Sequence, residues 1–261
     1  MSAATKILAL LFSLRLTVAE GQESTPNWTI RRFQTAETLS TQQVVQIKNP
    51  YGDLRCRAAF QQEVEILANI QKQEEDPYEA DIHIEKDATR LMIEVLYVRR
   101  PDMNAVPETD HMKKRRIDMT LIVPLGAQLK AQTLTGLIEA KGLHASIQAD
   151  SVSGDIVLST KDSAQARTER GAINVTLLNP AWSKPPRLET VTGSITVWLP
   201  QDMDATIEAN TEGIISTDYS IEIRRKPSSR KKTARATLGE GSRRLTISSI
   251  KGDVRLLQHA K

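Results

Sequence analysis

The sequence predicts an all-β protein, a β-solenoid or β-helix-like stack of two-strand coils with longer strands in its N-terminal part, and three observations predict it. First, an apolar residue stands two places after each of Gly52, Gly136, Gly154, Gly171, Gly193, Gly213 and Gly252, namely Leu54, Ile138, Ile156, Ile173, Ile195, Ile215 and Val254. Four places on come Cys56, Ala140, Leu158, Val175, Val197, Thr217 and Leu256, so the inward positions keep the period of a strand with one buried face. Second, the glycines from Gly136 to Gly213 are spaced 18, 17, 22 and 20 residues apart, and the 39 from Gly213 to Gly252 make about two such units. Third, short alternations such as Ala145, Ile147, Ala149 and Ala205, Ile207, Ala209 fall between the glycine strands and would face them across a thin core. One coil cannot bury its own apolar face, so coils must stack with hydrogen bonds running between them.

Each element follows from the residues in turn. Lys6, the apolar run Ile7 to Leu14 and the small residues ending at Ala19 have the form of a secretory leader, assigning residues 1–19 to a signal peptide. Arg15 interrupts the run and argues against a membrane span. Residues 20–43 are a linker and lead-in, and residues 44–257 form one domain. Val44 to Lys48 is a strand, and Asn49-Pro50-Tyr51-Gly52 turns the chain into the first glycine strand. The alternations at Val64, Ile66, Ala68, Ile70, then Ile82, Ile84, then Leu91, Ile93, Val95 predict longer strands joined by turns near Asp76-Pro77 and Asp87. A helix over Gln61 to Gln71 is the second reading of the first of these. Arg99 to Arg116 is a charged surface loop, Ile117 to Val123 a strand closed by Pro124, and Asn179 to Pro186 an insertion holding Trp182. Arg224 to Arg235 is a second charged loop before the final strands around Leu245 to Ile247 and Gly252 to Leu256.

The composition is consistent with thin coils. Aromatic residues make up 4% and charged residues 26%, so the core must rest on Ile, Val, Leu and Ala. With 35 basic against 32 acidic residues, the net charge of +3 gives no bulk attraction to nucleic acid, and specific nucleic-acid binding is not expected. Cys56 is the single cysteine, so no intramolecular disulfide can form, and its inward phase makes it a small core residue.

Several of these segments resemble the bacterial putative-adhesin domains (DUF4097-like) of exported envelope proteins. The resemblance is carried by Asn49 to Leu54, Leu121-Ile122-Val123-Pro124, Val152-Ser153-Gly154-Asp155-Ile156, Val191-Thr192-Gly193-Ser194-Ile195 and Ile250-Lys251-Gly252-Asp253-Val254, over roughly Val44 to Leu257. It implies a β-solenoid in or beyond the envelope, in the periplasm or outside the cell, and supplies no catalytic residue set.

Chemistry-bearing motifs are few. His83, His111, His144 and His259 share no short metal-ligand spacing, and Asp81, His83 and Glu85 read as the solvated face of a strand whose other face is Ile82 and Ile84. No phosphate loop, dinucleotide fingerprint or Gly-x-Ser-x-Gly elbow occurs, so no cofactor is expected and Ser153 reads as a turn or surface residue. Asp53, Asp155 and Asp253 follow their glycines and face out, which suits solubility beside a turn; stacked carboxylates could also serve a polysaccharide hydrolase. Positive charge concentrates at Lys113-Lys114-Arg115-Arg116 and at Arg224, Arg225, Lys226, Arg230, Lys231, Lys232 and Arg235. The second group is the candidate anionic-ligand site; a solvated loop that guards a sheet edge is the alternative. The function expected is that of an exported, non-catalytic binding or structural module meeting an envelope glycan, an anionic lipid or a protein. A polysaccharide-active enzyme and an envelope signalling or assembly component are the rival readings.

Overall fold

Alternation of inward and outward side chains sets the architecture. The structure, a computed structural model, describes residues 27–40, 43–102, 104, 111–225 and 228–259, so the leader expected over residues 1–19 lies outside the described residues. The chain begins with β1 (Trp28–Thr38), β2 (Val44–Lys48), β3 (Leu54–Ala59), β4 (Glu63–Gln73), β5 (Tyr78–Lys86) and β6 (Arg90–Arg99). A helical turn, α1 (His111–Lys114), leads into β7 (Arg115–Pro124). Strand pairs follow: β8 (Gln128–Thr135) with β9 (Ile138–Leu143), β10 (Ile147–Ser153) with β11 (Ile156–Thr160), and β12 (Ala164–Arg170) with β13 (Ile173–Leu177). Next come β14 (Arg187–Thr192) with β15 (Ile195–Leu199), and β16 (Ala205–Thr211) with β17 (Ile215–Thr217). A hairpin of β18 (Glu222–Arg225) and β19 (Lys232–Leu238) precedes the last pair, β20 (Arg243–Lys251) and β21 (Val254–Gln258).

Two sheets result. The first has ten strands in the order β1-β4-β7-β3-β9-β11-β13-β15-β21-β17, and the second eleven in the order β18-β19-β16-β20-β14-β12-β10-β8-β2-β6-β5. Members of a pair lie in opposite sheets, so each pair is one coil: a strand of the second sheet, a corner, a strand of the first sheet and a turn back. Neighbouring coils join by parallel ladders in matching register, Ile156 opposite Ile173, Ile173 opposite Ile195 and Ile195 opposite Val254. Ile138, Ile156, Ile173, Ile195 and Val254 therefore form one column, each 0% exposed. Burying an Ile or Val side chain stabilises by about 1.5–3 kcal/mol, and the column gains this at every coil. Ala131, Ala149, Ala166 and Ala209 supply small inward residues from the second sheet, which keeps the core thin. Asp155 is exposed as its outward phase predicts, while Asp253, expected to face out as well, and Ser194 at the same place in its coil are half-buried.

The corners explain the glycines. A Cβ on Gly193 would overlap the carbonyl of Gly171, and one on Gly171 that of Gly154, far inside van der Waals contact. Gly193 also holds φ at +154°, in the region that favours glycine. Three residues before most of these glycines stands a buried hydrogen-bonding side chain that braces the neighbouring coil. Thr168 Oγ1 donates to the Gly154 carbonyl at 3.2 Å, Thr190 Oγ1 to Gly171 at 3.1 Å and Ser249 Oγ to Gly193 at 2.9 Å. Asn49 Nδ2 does the same for the Ile117 carbonyl at 2.7 Å. Ser151 occupies this position too, yet its buried hydroxyl has no partner.

Stack order departs from chain order at both ends. The β6–β7 coil lies outside β2–β3, and the chain then returns to lay β8–β9 against β2–β3 from the other side. At the far end β20–β21 enters between β14–β15 and β16–β17, so Gly252 follows Gly193 in space and Gly213 ends the column. The 39 residues from Gly213 to Gly252 hold the β18–β19 hairpin in place of a further glycine coil. Antiparallel strands cap the ends: β4 with β1, β5 on β6, and the hairpin on β16. Strand β1 falls within the residues 20–43 assigned to linker and lead-in, and it pairs along its whole length with β4. The helix reading of Gln61 to Gln71 is replaced by β4, whose Val64, Ile66, Ala68 and Ile70 alternate inward.

Candidate functional site

The cations predicted on a loop stand on structure. Residues Arg224 to Arg235 form the β18–β19 hairpin, with Glu222 opposite Arg235, Arg224 opposite Thr233 and Arg225 opposite Lys232; Lys226 and Pro227 lie outside the described residues. The reason is a period of two that charge density concealed: Ala234 and Ala236 are buried while Thr233 and Arg235 point out. Arg224 Nε donates to Glu222 Oε1 at 2.8 Å, and this contact holds the Glu222 carboxyl below the ordinary range. Lys232 Nζ donates to the Gly213 carbonyl at 2.7 Å and pins the hairpin to the last corner. Arg225 Nε reaches the Ser229 carbonyl at 3.3 Å, closing the hairpin turn. On the outward face Arg224 and Arg235 share a depression of about 340 Å³ with Glu208 and Glu222. The structure thus gathers Arg224 and Arg235 among acids and leaves Arg225, Arg230 and Lys231 at the tip, none of them in an ion pair among the described residues.

The other basic run is split by burial. Arg115 was expected in a surface loop but opens β7 on the phase of Ile117, Met119, Leu121 and Val123, and is 2% exposed. Its Nε lies 2.7 Å from Oδ2 of Asp76, itself 0% exposed, and its Nη2 bonds the other carboxylate oxygen. The guanidinium sits 4.1 Å from the Tyr78 ring centre and 5.5 Å from that of Tyr97. Burial pushes the Tyr97 phenol up. Arg116, on the opposite phase, reaches Asp118 at 2.7 Å and Asp53 at 3.0 Å. Only Lys113, Lys114 and Arg116 of the four remain available to solvent.

The outer face of the second sheet carries a groove the sequence reading did not single out. Lys48, Gln132, Asp150 and Arg167 stand side by side across four coils, next to a second outward row of Pro50, Leu134, Val152 and Glu169. The groove encloses about 570 Å³. Lys48 is bridged to Glu94 at 3.1 Å, and Gln148 donates to Asp150 at 3.0 Å. The signal was present in the residues four and two before each glycine, once the outward phase is followed from coil to coil.

The remaining candidates take structural roles. Asp53 Oδ1 accepts from the Leu137 N–H at 3.1 Å, Asp155 Oδ1 from Ala172 at 2.7 Å and Asp253 Oδ1 from Ile214 at 2.9 Å. Each of these carboxylates ties its coil to the next, where the sequence suggests solubility beside a turn or the stacked carboxylates of a polysaccharide hydrolase. Asp81, His83 and Glu85 lie on the exposed face of edge strand β5, and among the described residues no group of three His, Cys, Asp or Glu could hold a metal ion. Ser153 is half-buried at the end of β10. Cys56 is buried, and desolvation pushes its thiol up to about 12. Among the described residues no helix is long and apolar enough to cross a membrane.

No protein-family model matches the chain, and no curated protein matches it. Solved structures do. A "putative cell adhesion protein" from Clostridium sporogenes is 9% identical with a TM-score of 0.43, over 88% of this chain and 100% of that one. A "putative adhesin" from Bacteroides fragilis is 9% identical with a TM-score of 0.32, over 88% and 97%. Another from Parabacteroides distasonis is 10% identical with a TM-score of 0.28, over the same shares.

Proposed function

We propose that this chain is an exported, non-catalytic binding module of the cell envelope with an adhesin-like role, and that it meets anionic partners through the tip of the β18–β19 hairpin. One observation carries this reading: Arg225, Arg230 and Lys231 project together from an end of the stack without ion-pair partners among the described residues. Unpaired exposed cations raise the local concentration of anions, and they do so over a distance set by salt. Export rests on the leader-like residues 1–19. The non-catalytic reading is supported by the carboxylates after the glycines, which are occupied with backbone N–H groups of adjacent coils.

The test is adsorption of the chain to vesicles with and without anionic headgroups, and to acidic and neutral polysaccharides. Arg230→Ser and Lys231→Ser combined should sharply weaken adsorption to the anionic members, with little change in Tm because exposed charges contribute about 1 kcal/mol or less each. Lys232 is left in place because it holds the hairpin to the Gly213 corner. Adsorption by the parent should fall as salt shortens the screening length from about 10 Å to about 3 Å between 0.1 and 1 M. Adsorption that survives both the substitutions and the salt refutes the assignment.

A further inference from the structure

The outer face of the first sheet, on the side of the stack opposite the groove of Lys48 and Arg167, carries a second groove of different chemistry. Inward burial of Ile195, Val197 and Leu199, each 0% exposed, turns Trp198 outward on β15. The ladder sets Thr176 of β13 beside Trp198, and Ser159 of β11 beside Thr176. One step toward the corner, Asn174 stands beside Val157. With Lys141 of β9 and His259 just past β21 these side chains line a groove of about 470 Å³. At a strand spacing of about 4.8 Å, it runs roughly 14 Å across four strands.

Three features specify its ligand. The hydroxyls of Ser159 and Thr176, the amide of Asn174 and the indole N–H of Trp198 have no hydrogen-bond partner among the described residues, so the groove offers donors and acceptors that protein does not use. Its lysine is already neutralised, Lys141 Nζ lying 2.8 Å from Glu139 Oε2, so it holds no unpaired lysine or arginine to attract an anion. The half-buried indole adds a flat apolar face with negative potential at its centre, which attracts polarised C–H groups. Strand addition of a peptide is not available here, because backbone groups in the middle of a sheet are already paired.

We propose that this groove binds a neutral glycan chain lying across the coils, with one pyranose ring stacked on Trp198 and the hydroxyls of the following rings bonded by Thr176, Asn174 and Ser159. Apolar C–H faces alternating with equatorial hydroxyls are what a ring flanked by hydroxyl and amide side chains can match, and each further coil adds one more polar contact at the strand spacing. This site is independent of the hairpin, and salt separates the two: neutral glycan binding here is insensitive to it.

The experiment is calorimetric titration of the full chain with neutral cello-, manno-, galacto- and chito-oligosaccharides long enough to span the groove. At least one class should bind, with an affinity unchanged between low and high salt. Trp198→Ala should weaken it about two- to tenfold, the loss expected for one stacked ring. Trp198→Phe should lose less, and Thr176→Val, which keeps the shape and removes the hydroxyl, should weaken binding without altering Tm. The phenylalanine and valine variants decide the matter if the alanine variant does not fold. Absence of binding by every class at millimolar concentration overturns the proposal, as does binding that Trp198→Phe and Thr176→Val both leave unchanged.

Discussion

Replacing Arg115 by Met should be among the most destabilising single changes in this chain, although three neighbouring basic residues make the position look like surface. The substitution removes the cation that Asp76 bonds through both carboxylate oxygens, and Asp76 is 0% exposed, so a carboxylate is left buried without its partner. Breaking such a pair from one side costs about 3–5 kcal/mol, and loss of the guanidinium over Tyr78 and Tyr97 adds to it. At about 2–4 °C per kcal/mol for a chain of this size class, Tm should fall by roughly 6–20 °C. Arg116→Met is the control, since its side chain is 45% exposed and Asp53 keeps a second partner in Arg55. That variant should lose about 1 kcal/mol or less. Combining Arg115→Met with Asp76→Leu should recover much of the loss, because no charge is then left buried. Urea unfolding of the four proteins gives the coupling directly. An Arg115→Met variant no less stable than Arg116→Met would refute the buried pair and the phase that places it.

Two further changes test the corners. Gly193→Ala should lower the unfolding midpoint sharply, because the new Cβ overlaps the Gly171 carbonyl at a φ of +154°; Gly126→Ala, where a Cβ meets nothing within 4 Å, should change it little, and equal effects in thermal melts would deny the close approach of the coils. Thr190→Val should cost about 1–3 kcal/mol by stranding the Gly171 carbonyl, whereas Ser151→Ala, which removes a buried hydroxyl without a partner, should be neutral or stabilising in urea titrations.

The architecture was legible because one period of two survived through every coil. Ile138, Ile156, Ile173, Ile195 and Val254 share a phase with their glycines, and the fold needs nothing else from them than burial. The hydroxyl row was legible too but unread: Thr168, Thr190 and Ser249 each stand three residues before a glycine, a spacing that gains meaning only when the carbonyl of the neighbouring coil is in view. Charge misled where it interrupted the pattern. Lys232-Thr233-Ala234-Arg235-Ala236 alternates as strictly as any core strand, and Arg115 sits on the phase of Ile117, yet in both cases net charge pointed to a loop. Grooves were beyond the sequence reading because each draws its lining from several strands. Trp198, Thr176 and Ser159 are separated by whole coils in the chain and meet only through ladder register.

The same topology that hid those sites also keeps them apart. Because β20–β21 is inserted beside β14–β15, the hairpin is carried outward on β16 to the end of the second sheet, while Trp198 stays on an interior strand of the first. Coils in matching register, with their corners fixed by glycine contacts and carboxylate bonds, leave little freedom for one face to adjust when the other is occupied. A ligand can shift an equilibrium only by its differential affinity for two states, and the groove of Trp198 takes no lining residue from the hairpin. An anionic contact at the hairpin tip and a neutral chain across β9 to β15 would therefore bind additively, and a surface presenting both would be held by the product of the two affinities, scaled by the effective concentration that the rigid spacing sets.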